Sequence, residues 1–402
     1  MGRAAAQAKS KASTVELDLS DVKRRVGQEV GGGELLEPCS ATDIRRWAMA
    51  MDYPNPIHWD GEFAKASKFG GIVAPQSFAV ATDQGHGAQP ACVGYIPGSH
   101  LIFGGEEWWH YGPRIRPGDR VTQKRWFHDY KVADTKFAGP TMFSRGDTVH
   151  LDQHGTPISK ERSTSVRYLA AEAERRGALN GAAGKIPRWT PEQLRTVARE
   201  RLAWIHSNRE GYTPRFAEVS IGHRLPRRVI GPHTLASFAT EYRAFIFNVW
   251  GSFRWRAPAG VENPWVNQDP GWVEDFAFDE EGAKIDPRLR DGLYLGPSRG
   301  HVDVEKASRV GMPRAYGYGA SMGAWVTDYV SHWAGHDGFV RYSNTSYRSP
   351  AYEGDVTYLD AEVVERQEES TWGTPLVRLS LRMTNQDGAM LAMGTVDVEL
   401  PR

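Results

Sequence analysis

Apolar residues recur along the chain with two different periods, and their order sets out an architecture. Residues 43–50 put Ile44 and Trp47 on one side of a short helix behind Ser40 and Thr42, both good N-cap residues. Residues 76–84 are mostly apolar and follow Pro75, whose ring suits a first helical turn, so a buried helix is expected there. After Gly98 the pattern turns strand-like, with an aromatic run at Trp108-Trp109-His110-Tyr111 and turn chemistry at Arg116-Pro117-Gly118-Asp119. Strands are expected at 121–132, 141–151 and 158–168, the last two flanking a turn at His154-Gly155. Helical spacing returns behind Thr190-Pro191-Glu192, where Leu194, Val197, Leu202 and Ile205 share a face expected to pack across two units. Residues 237–249 and 319–333 read as helices; the second carries Met322, Trp325, Val326, Tyr329 and Val330 three and four apart. Strands follow at 340–343, 356–365, 376–384 and 392–400. A helix followed by a run of antiparallel strands, given twice, is an α+β pattern.

Short internal echoes support a repeat. Val26-Gly27-Gln28-Glu29-Val30 is answered by Ile221-Gly222-His223-Arg224-Leu225, and His58-Trp59-Asp60 by His301-Val302-Asp303. Arg116-Pro117-Gly118-Asp119 is answered by Tyr352-Glu353-Gly354-Asp355, and Gln153-His154-Gly155 by Gln386-Asp387-Gly388, all in the same order. The expected layout is a disordered tail at 1–20, a first copy at 21–168, a linker with a helix at 169–215, and a second copy at 216–402. The second copy carries an insertion at 250–297, which is rich in Trp, Pro, Gly and Asp and suggests a binding loop for a bulky or aromatic substrate. A length of 402 residues agrees with two core-forming units. Zero formal net charge gives no support for binding nucleic acid or an acidic membrane, and no apolar run could cross a bilayer. Cys39 and Cys92 make neither a disulfide framework nor a zinc site and fit a reducing cytoplasm.

The candidate chemistry lies in Tyr53-Pro54-Asn55-Pro56-Ile57-His58-Trp59-Asp60. Two prolines so close exclude a helix interior or a central strand, so the backbone is stiff and holds Asn55, His58 and Asp60 at defined positions. A neutral imidazole beside an amide and carboxylates suits proton transfer to and from water. The same residues also fit a plain turn, with Asn and Asp capping a short helix and His58 on the surface.

Asn55, Pro56, His58 and Asp60, followed by Gly70-Gly71-Ile72-Val73-Ala74-Pro75, resemble the active-site segment of the MaoC-like (R)-specific enoyl-CoA hydratases and 3-hydroxyacyl dehydratases, in their two-unit form. That family shows Asp-x-Asn-Pro-x-His-x-Asp. Its catalytic Asp falls here on Tyr53, and the nearest carboxylate is Asp52, one residue early. The resemblance implies a tandem (double) hot-dog fold, with two helix-wrapped antiparallel sheets packed as a pseudo-dimer and active sites at the seam. It implies reversible addition of water across the 2,3 double bond of an enoyl-CoA thioester. Coenzyme A would enter only as part of the substrate, no metal or redox cofactor would be needed, and the chain would form a homodimer. An Asp–His pair would activate the water, and an N–H at the start of the hot-dog helix would bind the thioester oxygen. Pro75 stands where the family has its donor glycine, so Gln76 or Ser77 would take over that duty. The second copy keeps His301, Asp303 and Gly319 but has Arg299-Gly300 in place of Asn-Pro. The first copy is therefore favoured, with His58, Asp52, Asn55, Tyr53 and Asp60 as candidates and Asp52 expected to reach His58 through a locally turned backbone. His301 and Asp303 also fit a capping contact. Two other readings stay open: a hot-dog thioesterase, which needs a carboxylate on a central helix (Asp83 or Asp328), and a non-catalytic acyl-CoA-binding module.

Overall fold

The computed structural model describes residues 16–35, 37–82, 89–178, 184–246, 253–256 and 299–402. Most of the expected tail, the end of the expected first central helix with Asp83, and nearly all of the 250–297 insertion lie outside the described residues.

The first half opens with helix α1 (Ser20–Lys23), strand β1 (Glu29–Leu35) and helix α2 (Ala41–Ala50). A 3-10 turn (Pro56–His58), helix α3 (Gly61–Ala66) and a second 3-10 segment (Gln76–Thr82) follow. Four long strands complete it: β2 (Ser99–His110), β3 (Thr122–Thr135), β4 (Gly139–Leu151) and β5 (Pro157–Leu169). Helices α4 (Ala170–Arg176) and α5 (Pro191–Ser207) lead into the second half. There the order returns: β6 (Arg228–Ile230), α6 (Leu235–Ile246), β7 (Phe253–Arg256), a 3-10 turn (Arg299–His301), α7 (Val304–Arg309), α8 (Gly319–Ala334), β8 (Phe339–Tyr347), β9 (Thr357–Gln367), β10 (Leu376–Asn385) and β11 (Met390–Glu399).

Among the described residues, eleven strands form one sheet in the order β6-β9-β10-β11-β8-β2-β5-β4-β3-β1-β7. Read outward from the centre, the second half (β8-β11-β10-β9-β6) repeats the first (β2-β5-β4-β3-β1) strand for strand. The halves join where β2 pairs antiparallel with β8, from Gly105↔Ser346 to Trp109↔Tyr342. This is an α+β fold of two hot-dog strand sets with helices packed around them. Among the described residues, no helix is long and apolar enough to cross a membrane.

Local chemistry accounts for the helix starts. Ser40 Oγ accepts from the Asp43 N–H at 3.1 Å while the Asp43 carboxylate accepts from the Ser40 N–H at 2.9 Å, a capping box. Thr190 and Gln193 repeat that arrangement ahead of α5, with Pro191 in the first turn. The Ala- and Arg-rich stretch after β5 is not all irregular: α4 buries Ala173 against Ala138 and Tyr168.

The central elements of the two halves differ. Helix α8 is buried along almost its whole length and shares one apolar core with Leu359, Leu379, Leu381, Met383 and Val396. Its counterpart in the first half is the buried 3-10 helix Gln76–Thr82, inside the buried helix expected over 76–84, whose last two residues lie outside the described residues. An apolar run alone does not separate these two geometries. The core nevertheless crosses the seam, since Trp47 and Phe78 belong to the same cluster as Trp325, Tyr329 and Val330.

Candidate active site

The turn before His58 is built as its residues dictate. Asn55 caps the 3-10 turn through its side-chain oxygen, which accepts from the Ile57 N–H at 3.2 Å, and Pro56 fills the first position. Asp60 caps α3, accepting from the N–H groups of Glu62 and Phe63 at 3.1 Å each. Its carboxylate is thereby occupied with the helix start, a structural duty. His58 lies between these caps and is buried, not on the surface.

The imidazole of His58 is held in one orientation. Its Nδ1–H donates to the Val73 carbonyl at 2.7 Å, which leaves Nε2 as the acceptor of a neutral ring. Burial, reinforced by the nearby Arg114 charge, pushes its pKa down to about 3, so the ring is neutral at physiological pH. Tyr53 packs beside it with ring centroids 5.2 Å apart. Burial and the Asp328 charge push the Tyr53 phenol well above its usual range, so it acts as a neutral hydroxyl and not as a base.

The carboxylate in this cluster comes from the second half. Asp328 on α8 accepts from Ser77 Oγ at 2.7 Å, and Ser77 Oγ accepts in turn from Trp47 Nε1 at 2.9 Å. The other oxygen, Oδ2, is buried without a hydrogen-bond partner. Burial raises Asp328 to about 7 against the opposing charges of Arg228 and Arg114, so the group can take or give a proton near neutral pH. Arg114 donates to the Ala74 carbonyl from Nε and Nη2, and its charge acts on His58, Tyr53 and Asp328 alike. His58 is tied to Val73, Arg114 to Ala74 and Asp328 to Ser77, so five consecutive residues anchor all three groups. Gln76 locks the same segment to the second half, with its amide exchanging hydrogen bonds of 2.9 and 3.0 Å with the Val340 backbone. The N–H groups of Gln76 and Ser77 precede the first internal bond of their segment, Phe78 N–H to Pro75 O.

Asp52 goes elsewhere. Its backbone is turned as expected, at φ 55, but its carboxylate is paired with Arg201 of α5. The Asp52 carbonyl accepts from Arg228 at 3.0 Å, and that guanidinium lies over the Trp204 ring at 4.5 Å. An ion pair of matching size and charge is available on α5, and this holds the carboxylate away from the His58 role expected for it. The expected packing of α5 across both halves is seen here: Trp204 adjoins Tyr53 of the first half and His332 of the second.

The second half repeats the scaffold without the full set of groups. His301 Nδ1 donates to the Tyr316 carbonyl at 2.6 Å, fifteen residues on, the same separation as His58 and Val73. Asp303 caps α7 through Glu305 and Lys306, as Asp60 caps α3. Gly319 opens α8, and a Cβ there would lie 2.4 Å from the Phe103 side chain. The His301 ring lies against Tyr318, with centroids 4.0 Å apart and the planes tilted by 33°. Among the described residues, no cluster of His, Cys, Asp or Glu could hold a metal ion.

Sequence reasoning missed Arg114, Arg228 and His332, whose contacts are long-range and leave no local pattern. Asp328 did leave a signal, as an acid inside the apolar run Ala-Trp-Val-Thr-Asp-Tyr-Val, but was weighed only for a thioesterase.

Comparison with known proteins agrees with this picture at the level of fold. A family model described as a FAS1-like dehydratase domain region matches residues 24–161, which hold the whole of the His58 turn. No curated protein matches the chain. Among solved structures, a MaoC-like dehydratase is 16% identical with a TM-score of 0.60, covering 94% of this chain and 99% of its own. A putative MaoC domain protein dehydratase from Chloroflexus aurantiacus J-10-fl is 10% identical with a TM-score of 0.50, covering 94% and 96%. The chain is thus related in fold to MaoC-like dehydratases over nearly its whole length.

Proposed function

We propose that the protein adds or removes water across the 2,3 double bond of an acyl-CoA-type thioester, at a site made by the His58 turn of the first half and Asp328 of the second. The observation that carries this reading is a buried carboxyl titrating near neutrality and a neutral imidazole of fixed tautomer, both anchored to one five-residue segment and both under the charge of Arg114. The fold relatives and the matched family model, all described as dehydratases, agree with it. In the hydration direction, His58 Nε2 orients a water molecule and ionised Asp328 takes one of its protons. The water oxygen bonds to C3 and the double-bond electrons move onto the thioester oxygen. The Gln76 and Ser77 N–H groups stabilise that enolate, as an oxyanion hole does. The proton held by Asp328 is then delivered to C2, so H and OH have both come from one water. Dehydration is the reverse. Asp328 replaces Asp52 in the role first given to it, and Arg114 holds the Asp328 anion during the step.

A thioesterase remains the second reading, because Asp328 stands on a central hot-dog helix as that chemistry requires. Incubation with crotonyl-CoA and with saturated acyl-CoAs separates the two. Loss of enoyl absorbance supports hydration; thiol release from saturated substrates without that loss would replace it with hydrolysis.

A further inference from the structure

Arg228 opens β6, the last strand on the second half's side of the sheet, yet its buried side chain reaches the reaction centre. Nη1 donates to the Trp325 carbonyl at 2.8 Å, three residues before Asp328 on α8. Nη2 donates to the Met51 and Asp52 carbonyls at 2.7 and 3.0 Å, immediately before Tyr53 and the His58 turn. One guanidinium therefore ties the helix that carries the acid to the segment that carries the imidazole. The Trp204 ring of α5 covers it at 4.5 Å.

The fold does not itself call for an arginine here. Arg228 pairs with Leu359 as Gly33 of β1 pairs with Gln123. Leu359 and Gln123 each lie four residues after the aspartate of one repeated turn, Asp355 and Asp119. Arg228 and Gly33 each lie six residues after the glycine of another repeated motif, Gly222 and Gly27. The same place in the first half is thus filled by a residue with no side chain. Burying a guanidinium is costly, and apolar residues of similar volume often serve stability as well. The three bonds to Trp325, Met51 and Asp52 all go to neutral carbonyls, so they leave the charge uncancelled. That charge acts on Asp328, Asp52 and Tyr53. Asp52 is already paired with Arg201 and Tyr53 stays a neutral phenol, which leaves Asp328 as the group whose proton it governs. Its pull on the Asp328 carboxyl exceeds that of Arg114.

We propose that Arg228 is a positioning residue of the reaction: it braces α8 against the His58 turn, and its charge favours the ionised Asp328 that takes the proton from water. The inference rests on the hydration proposed above. Its test compares Arg228→Gln, which removes the charge, with Arg228→Lys, which keeps the charge but not the fork. Two readouts are taken: the pH dependence of kcat with crotonyl-CoA, and the infrared band of the protonated Asp328 carboxyl, assigned by its loss in Asp328→Asn. In hydration the rate rises with pH as Asp328 ionises. In Arg228→Gln the rising limb and the midpoint of the band should both move up by about one pH unit, as on losing a nearby opposite charge, and kcat at pH 7 should fall about tenfold. Arg228→Lys should restore both midpoints, with the plateau kcat still severalfold low and KM unchanged because the brace is lost. A folded Arg228→Gln variant with wild-type midpoints and kcat would overturn the inference. In the Lys variant a displaced midpoint would overturn the role of the charge, and an undiminished plateau that of the brace, whether or not the Gln variant folds. A wild type inert towards enoyl-CoA would refute the reaction proposed above, while a displaced band in Arg228→Gln would still show that Arg228 governs this proton.

Discussion

Asp328→Asn should weaken the enzyme and strengthen the protein at the same time. The substitution keeps the shape and an oxygen for Ser77 to bond, and removes only the charge. Burial raises the Asp328 carboxyl from an ordinary value of 3.8 to about 7. The folded protein therefore holds this proton over a range in which the unfolded chain has lost it. Stability from this group is intact below pH 3.8, falls as the pH rises through that window, and is at its lowest above 7. One pH unit corresponds to about 1.36 kcal/mol, so an ionised Asp328 costs about 4 kcal/mol, as an order of magnitude. The Asn variant has no such cost. Urea unfolding at pH 5 and pH 8.5 is the assay: the variant should exceed the wild type clearly at pH 8.5 and by much less at pH 5. Turnover of an enoyl-CoA should fall by about 10²–10⁴-fold, the usual worth of a general acid–base group. A variant that is no more stable at pH 8.5 would refute the burial argument. One that is more stable but fully active would refute the assignment of Asp328 to the reaction.

The other predictions are simpler. His58→Ala should lower turnover by about 10²–10⁴-fold in a crotonyl-CoA assay; an unchanged rate would move the chemistry to His301. Asp52→Asn should break a partly exposed ion pair with Arg201, costing up to about 1 kcal/mol in denaturant unfolding and leaving hydration largely intact; abolished hydration would restore Asp52 as the base. Gly319→Ala should destabilise by about 1–3 kcal/mol, because its Cβ would lie 2.4 Å from Phe103; a thermal scan matching the wild type would show that Phe103 can give way.

What the chain disclosed before folding follows from the range of the interactions involved. The long strands were legible because a period of two is strong over ten residues, and α8 because Met322, Trp325, Val326, Tyr329 and Val330 share one face. The His58 turn was legible because two prolines fix it locally. The central element of the first half was legible as a buried helix but not its type, because an apolar run behind a proline fits a 3-10 segment as well as an α-helix. The carboxylate was misjudged for a different reason. Asp52 is one residue from Tyr53 in the chain, yet its partner lies 149 residues away, while Ser77 and Asp328 meet across 251. No local pattern can rank contacts made at that distance.

The pairing of β2 with β8 has a consequence for how such a molecule can change over generations. In a dimer of identical subunits, symmetry makes every substitution twice, so a helix, a histidine and a carboxylate must all be kept in each copy. Once a duplication places both copies on one chain and one sheet, that demand lapses. The first copy can hold its central element in 3-10 geometry over Gln76–Thr82, while the second keeps a long buried α-helix. The second can lose its Asn-Pro turn while retaining the acid. Each half has become dependent on what the other preserved, and a chain cut between α5 and β6 would yield two fragments, neither of which holds both His58 and Asp328.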